Sequence, residues 1–117
     1  MTPSSAALAP RLAAEYPHDA VWDALRAVED PEMGISIVDL GLVVSAERSG
    51  SRVAVRITYT AMGCPATELI EGDVAARLRA LPGVEDVDLE VVWDPIWTKA
   101  RLTEDACDAL RALGVAV

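Results

Sequence analysis

Cys64 is the residue whose setting in this sequence most favours chemistry. It lies in the run Thr58-Tyr59-Thr60-Ala61-Met62-Gly63-Cys64-Pro65-Ala66-Thr67-Glu68, which reads as a strand ending, a tight glycine turn and a helix beginning. Pro65 suits a first helical position, because its φ is already helical and its missing N–H would otherwise go unpaired. Cys64 is thereby expected at or beside the N-cap, where free N–H groups and the positive helix end favour an anion. A thiol so placed ionises more readily than a free thiol of pKa about 8.5, and the thiolate is the form that binds metal or attacks an electrophile. The plainer alternative is a small buried residue filling the helix start. A turn that presents the sulfur to the helix end favours the chemical reading.

Few side chains are candidates to join it. Asp39 and Asp94 both fall at strand–loop junctions and could meet Cys64 in one cleft, as weak metal ligands or hydrogen-bond partners. Thr67, in the first turn after the cysteine, could offer its hydroxyl to the sulfur or to a bound group. Glu68 suits the positive helix end but opposes a thiolate on the same side. Gly63 and Pro65 shape the turn itself. Trp97 sits in a loop, where a large aromatic would cover the cysteine site or form a docking surface. Trp93 is expected in the core, Cys107 reads as a structural residue of the last helix, and His18, the only histidine, reads as solvated.

Ligand arithmetic narrows the chemistry. Zinc and iron–sulfur centres commonly take four protein ligands, often thiolates. One good thiolate per chain implies sharing, whether across a homodimer, with a small thiol or with a client protein, and that suits a transient carrier better than a permanent holder. As an enzyme the chain is poorly equipped. It has no histidine base to set beside Cys64, no glycine-rich phosphate loop and no convincing carboxylate pair. A thiol enzyme is therefore the weakest reading, and the expectation is a non-enzyme.

The elements that must position these residues follow from patterning. Residues 1–17, rich in Ala, Ser and Pro, read as a mobile arm with at most a helical turn near Arg11 to Glu15, and residues 18–117 as one domain. Asp19 is the expected N-cap of a helix over Ala20 to Val28, with Val21, Leu25 and Val28 on its apolar face and Pro31 beyond its end. Asp30 to Gly41 forms a loop whose carboxylates could cap turns or line a site. A first strand, about Leu42 to Glu47, sets Leu42, Val44 and Ala46 on one face. In the second, Val53, Val55, Ile57 and Tyr59 alternate with Arg52, Ala54, Arg56 and Thr58. The helix after Cys64 carries Ala66, Ile70, Val74, Leu78 and Leu81 on one stripe and ends at Pro82-Gly83. A third strand, about Val84 to Trp93, turns Val87, Leu89, Val91 and Trp93 inward and Asp86, Asp88 and Glu90 outward. Thr103 caps a last helix with Ala106, Leu110 and Leu113 inward and Gly114 closing it. The order α-β-β-α-β-α predicts an α+β fold, a two-layer sandwich whose small, mostly antiparallel sheet carries helices on one face.

Composition bounds the partners. With 117 residues the chain is one domain by size. Its net charge of −9 makes phosphate backbones and anionic lipid surfaces unfavourable, so neither nucleic acid nor membrane is expected as a partner. No apolar run approaches the roughly 20 residues of a membrane helix, and the N-terminus lacks a secretory pattern. Two unpaired-looking cysteines place the protein in a reducing cytoplasm.

Four short motifs, in order and in register, give the sequence a resemblance: Asp30-Pro31-Glu32, Ile37-Val38-Asp39-Leu40-Gly41, Gly63-Cys64-Pro65 and Trp93-Asp94-Pro95-Ile96-Trp97-Thr98. Together, over about Val21 to Val115, they resemble the iron–sulfur cluster assembly domain family that includes SufT and the phenylacetate-degradation protein PaaD. Gly63-Cys64-Pro65-Ala66-Thr67-Glu68 and Asp94-Pro95-Ile96-Trp97-Thr98 look closer to the PaaD branch. The resemblance implies an α+β domain that helps mature or deliver iron–sulfur clusters, with the family's cysteine at Cys64 and its acidic loop residue at Asp39. It implies iron or a transient iron–sulfur cluster as cargo, shared between chains or with a client iron–sulfur or di-iron protein. The alternative it carries is a PaaD-like accessory or scaffold of a phenylacetyl-CoA oxygenase complex that holds no stable metal. PaaD-type members usually continue into a cysteine-rich tail, and this sequence, ending at Val117, is expected to be a shorter stand-alone member or to contact its partners differently.

Overall fold

A computed structural model describes residues 11–60 and 67–116 of the chain. The first helix, α1 (Ala20–Arg26), starts where the Asp19 carboxylate accepts the Trp22 N–H at 2.9 Å, and it buries Val21, Trp22 and Leu25. It stops short of the expected Val28. Ala27 and Val28 donate three residues back, to the Ala24 and Leu25 carbonyls, so the last turn tightens and the helical ladder ends.

β1 (Val43–Ser49) and β2 (Arg52–Ile57) form an antiparallel hairpin turned at Gly50, whose φ is +62°. A register shift between Val43 and Ser45 corrects the expected face of β1. The irregularity reverses the alternation there, so Leu42 and Val43 are both buried while Val44 is half-buried. β2 keeps strict alternation, with Val53, Val55 and Ile57 buried and Arg52, Ala54 and Arg56 exposed.

α2 (Thr67–Arg79) buries Ile70, Val74 and Leu78. It carries the chain across to β3 (Asp86–Val91), which lies parallel to β2 from Arg52 opposite Asp86 to Ile57 opposite Val91. The sheet, in order β1-β2-β3, is therefore mixed. Its first pair is antiparallel as expected. Its second is parallel, because a helical crossover returns the chain to the same end of the sheet. On the outer face the acidic side chains of β3 meet arginines of β2: Arg52 lies 3.5 Å from Asp88, and Arg56 3.9 Å from Glu90.

β3 ends before Trp93, which is 46% exposed and not in the core as expected. Val92 donates the last bond, to the Ile57 carbonyl at 2.8 Å, and β2 stops there. Beyond that point no strand among the described residues holds the inward alternation.

α3 (Glu104–Ala112) is capped by Thr103, whose hydroxyl accepts the Ala106 N–H at 3.1 Å. Ala106, Cys107 and Leu110 enter the core, but Leu113 is 60% exposed. It is the C-cap, and the chain leaves through Gly114 with φ of +86° before another inward position is reached. The start of the described chain is tied to this helix. Arg11 donates to the Leu102 carbonyl at 2.8 Å and accepts from Glu104, a 3-10 turn follows at Ala13–Glu15, and Tyr16 stacks on Trp22 with centroids 5.4 Å apart. Among the described residues no helix is long and apolar enough to cross a membrane.

Candidate functional site

The cysteine turn, Gly63, Cys64 and Pro65, lies outside the described residues, and the groups that flank it define the site. On one side is Tyr59, buried just past β2; on the other is Thr67, the first residue of α2. The Tyr59 hydroxyl sits 3.4 Å from the Thr67 carbonyl oxygen and 3.2 Å from Glu71 Oε2, so its single proton serves one acceptor at a time. The contact joins the chain just past β2 to the first turns of α2.

A cleft opens beside this junction, lined by Asp30, Met33, Leu40, Leu42, Tyr59, Thr60 and Ile70. Asp30 is only 7% exposed. Its carbonyl accepts from Met33 and Gly34, and its Oδ1 accepts the Glu32 N–H at 2.8 Å. Of the two roles open to the loop carboxylates, Asp30 has both: it caps a turn and it lines a cleft.

Asp39 points its hydrogen bonds elsewhere. Its carbonyl accepts the Thr103 N–H at 2.9 Å and its Oδ1 accepts from the Thr103 hydroxyl at 3.2 Å, so it holds the N-terminus of α3. Burial pushes its carboxyl above the usual 3.8; the Thr103 hydroxyl opposes that shift, nearby Asp105 adds to it and Arg26 offsets part of it.

The neighbouring backbone is clamped from the 97–101 segment. The Trp97 indole N–H donates to the Leu40 carbonyl at 2.7 Å, and the half-buried ring packs against the core. Arg101 donates through Nε to the Gly41 carbonyl at 2.7 Å and through its guanidinium to Val43 O at 3.3 Å. Burial lowers the Arg101 pKa. Gly41 has φ of +73°, and a Cβ there would run into the Arg101 backbone.

The residues singled out from sequence are thus distributed. Asp39 and Trp97 serve one clamped loop, Asp94 and Glu68 are exposed, and Thr67 adjoins the Tyr59 contact. No hydrogen bond or ion pair joins Asp39, Asp94, Thr67 and Glu68 to one another among the described residues. Nor do the described residues contain a cluster of three His, Cys, Asp or Glu able to hold a metal. Cys107 is a buried free thiol of α3. Sequence reasoning passed over Tyr59, Met33 and Arg101 as site residues. Tyr59 had a signal in its position, at the end of the β2 alternation and shortly before Cys64; Arg101 had none, because its acceptors lie so far away in the chain.

Comparison with known proteins identifies the family. Residues 18–91 match the iron–sulfur cluster assembly protein family. The Fe-S protein maturation auxiliary factor SufT of Staphylococcus aureus is 40% identical over 84 residues, covering 71% of this chain and 96% of that protein. An Escherichia coli protein named as a component of a 1,2-phenylacetyl-CoA epoxidase is 33% identical over 81% of this chain and 58% of its own length. Among solved structures, a domain of unknown function from Bacillus anthracis superposes with a TM-score of 0.70 at 36% identity, covering 82% of this chain and 90% of that one. The chain belongs to the iron–sulfur cluster assembly protein family.

Proposed function

We propose that this protein is a non-enzymatic maturation factor for iron–sulfur proteins, one that assembles or carries a cluster and passes it to a client in a reducing cytoplasm. Cys64 is the thiolate ligand in this reading. The observation that carries it is the family match over residues 18–91, joined to a relative at 40% identity whose name is that of an Fe-S protein maturation factor. The sequence Gly63-Cys64-Pro65 just before α2 adds the chemical reason, since a helix N-terminus favours the thiolate over the thiol. The cluster is cargo, and its remaining ligands come from a second copy or from the client. In this reading Gly63, Pro65, Thr67 and Glu68 belong to the cysteine segment, while Asp39 and Trp97 hold the loop before β1 and Asp94 is exposed after β3.

Anaerobic reconstitution with iron and sulfide tests this, comparing the parent with Cys64→Ser by absorbance and iron content. Cluster in the parent and none in a still-folded Cys64→Ser protein is the expected outcome, with about half a cluster per chain if two copies share one. No cluster in either protein sinks direct carriage. The likeness to the epoxidase-associated protein favours a second reading, an accessory protein that docks on an oxygenase without holding metal. In that case the parent and Cys64→Ser would bind the oxygenase equally well, and neither would take up iron.

A further inference from the structure

We propose that the open edge of β3 takes up an extended segment of the client protein, added to the sheet as a fourth strand in which basic and apolar residues alternate. β3 is the terminal strand in the order β1-β2-β3. In a parallel pair, alternate residues bond to the neighbouring strand. Asp86 donates to the Ser51 carbonyl at 3.1 Å and Val92 to the Ile57 carbonyl at 2.8 Å, so Asp88 and Glu90 between them also face β2. The N–H and C=O groups of Val87, Leu89 and Val91 therefore point away from the sheet, and no strand meets them among the described residues.

The side chains along this edge specify the occupant. On the helix-covered face Val53, Val55 and Ile57 of β2 are fully buried, whereas Val87, Leu89 and Val91 are only half-buried. A further strand with apolar residues on that face completes their cover, and its backbone completes the ladder. On the outer face β3 carries acids alone, the exposed Asp86, Asp88 and Glu90. β2 shows the complement they accept, because its Arg52 and Arg56 alternate with apolar residues and lie 3.5 Å from Asp88 and 3.9 Å from Glu90. No strand supplies cations on the other flank, and the net charge of −9 steers a basic segment toward it. The same acids bar a second copy, since antiparallel pairing of β3 with β3 sets acid opposite acid. The edge of β1 is a poorer template: its ladder is broken between Val43 and Ser45, and Glu47 and Arg48 give it charges of both signs. The inference rests on the proposal that this protein meets a client, but it is tested without iron, so its failure leaves the reconstitution experiment unaffected.

The full chain, labelled with nitrogen-15, is titrated with acetyl-Arg-Val-Arg-Val-Arg-Val-amide while amide shifts and amide hydrogen exchange are followed. Two comparison peptides replace every arginine by glutamate or gather the residues as Arg-Arg-Arg-Val-Val-Val. The alternating arginine peptide is expected to bind at least about tenfold more tightly than either. In the free protein the amides of Val87, Leu89 and Val91 should exchange quickly, and with peptide at about ten times its Kd they should slow about tenfold. Asp88 and Glu90, bonded to β2, should exchange slowly throughout. The triple variant Asp86→Asn, Asp88→Asn, Glu90→Gln loses only exposed ion pairs, so it folds, and it should weaken the arginine peptide by about tenfold or more. A control triple, Asp23→Asn, Asp73→Asn, Asp108→Asn, removes the same charge from carboxylates that face arginines on the helices, and should weaken it by less than about threefold. Equal weakening by the two triples would overturn the proposal by reducing it to general attraction, and equal binding of the gathered peptide would do so by removing the need for alternation. Slow exchange at Val87, Leu89 and Val91 in the free protein would mean that the edge is already occupied. Unchanged exchange there with peptide bound, or no binding at about 10 mM peptide, would overturn it as well.

Discussion

At the scale of single residues, the loop from Ser36 to Val43 shows how much of this fold depends on positions with no alternative side chain. Gly41 combines a left-handed φ of +73° with a backbone pressed against Arg101. Gly41→Ala is expected to cost about 2 kcal/mol or more in urea unfolding, because strain and overlap add at one site. A smaller loss would mean that the 97–101 segment can withdraw without disturbing the core. Asp39 makes a different demand. Its folded pKa stands above the ordinary 3.8, so between those two values the folded protein binds more protons than the unfolded chain. Stability contributed by this group therefore falls as pH rises through that window, and at neutral pH the ionised form bears the cost of burial. Asp39→Asn retains an oxygen for the Thr103 hydroxyl without the charge. Its stability relative to the parent should improve between about pH 3.5 and about pH 7, a span that brackets the carboxylate titration. An unchanged difference across that range would remove Asp39 as the titrating group.

At the scale of elements, the caps were legible in sequence and the deviations from regularity were not. Asp19 and Thr103 each stand immediately before a helical pattern and bond three residues ahead, a relation contained within one turn of chain. The alternation of β2 was equally plain, since Val53, Val55 and Ile57 answer to a single covered face. The shift in β1 and the exposure of Trp93 depend on how far a neighbouring strand extends, which no local pattern records, and the parallel pairing of β3 depends on where the crossover through α2 returns the chain. The site divides the same way. The reading of Cys64 rests on a local signature of glycine and proline, at positions outside the described residues, whereas the Asp30 cleft gathers residues far apart in the chain. Thr103 offers a test of how strongly a cap serves its element. Thr103→Ala and Thr103→Ser both remove the γ-methyl, but serine can still accept from Ala106 and donate to Asp39. The alanine variant should be less stable than the serine variant by about 1–2 kcal/mol, and that difference reads the hydroxyl alone. Equal stabilities would assign the anchoring of α3 to the backbone bond between Thr103 and Asp39.

At the scale of the whole molecule, the sheet and its two flanking helices do not close the core by themselves. The segment from Arg11 to Tyr16 runs from a bridge at Thr103 to a stack on Trp22, linking the start of α3 to α1. Composition gave no sign of this, because one tyrosine amid alanine, serine and proline makes no periodic pattern and its partners lie in other elements. Arg26 reinforces the link by donating to the Tyr16 and Pro17 carbonyls at 3.1 and 2.7 Å. Tyr16 is 6% exposed, yet its hydroxyl is buried without a hydrogen-bond partner among the described residues, so the ring and the hydroxyl pull in opposite directions energetically. Tyr16→Ala removes the stack and leaves a cavity beside Trp22, which should cost about 3 kcal/mol. Tyr16→Phe keeps the ring and discards an unsatisfied polar group, so it should match the parent or exceed it by up to about 1 kcal/mol. The pair separates packing from polarity when both variants are unfolded in urea alongside the parent. Loss of stability in the phenylalanine variant would mean that the hydroxyl finds a partner in solution, and a small loss in the alanine variant would mean that α1 and α3 hold together without the segment between them.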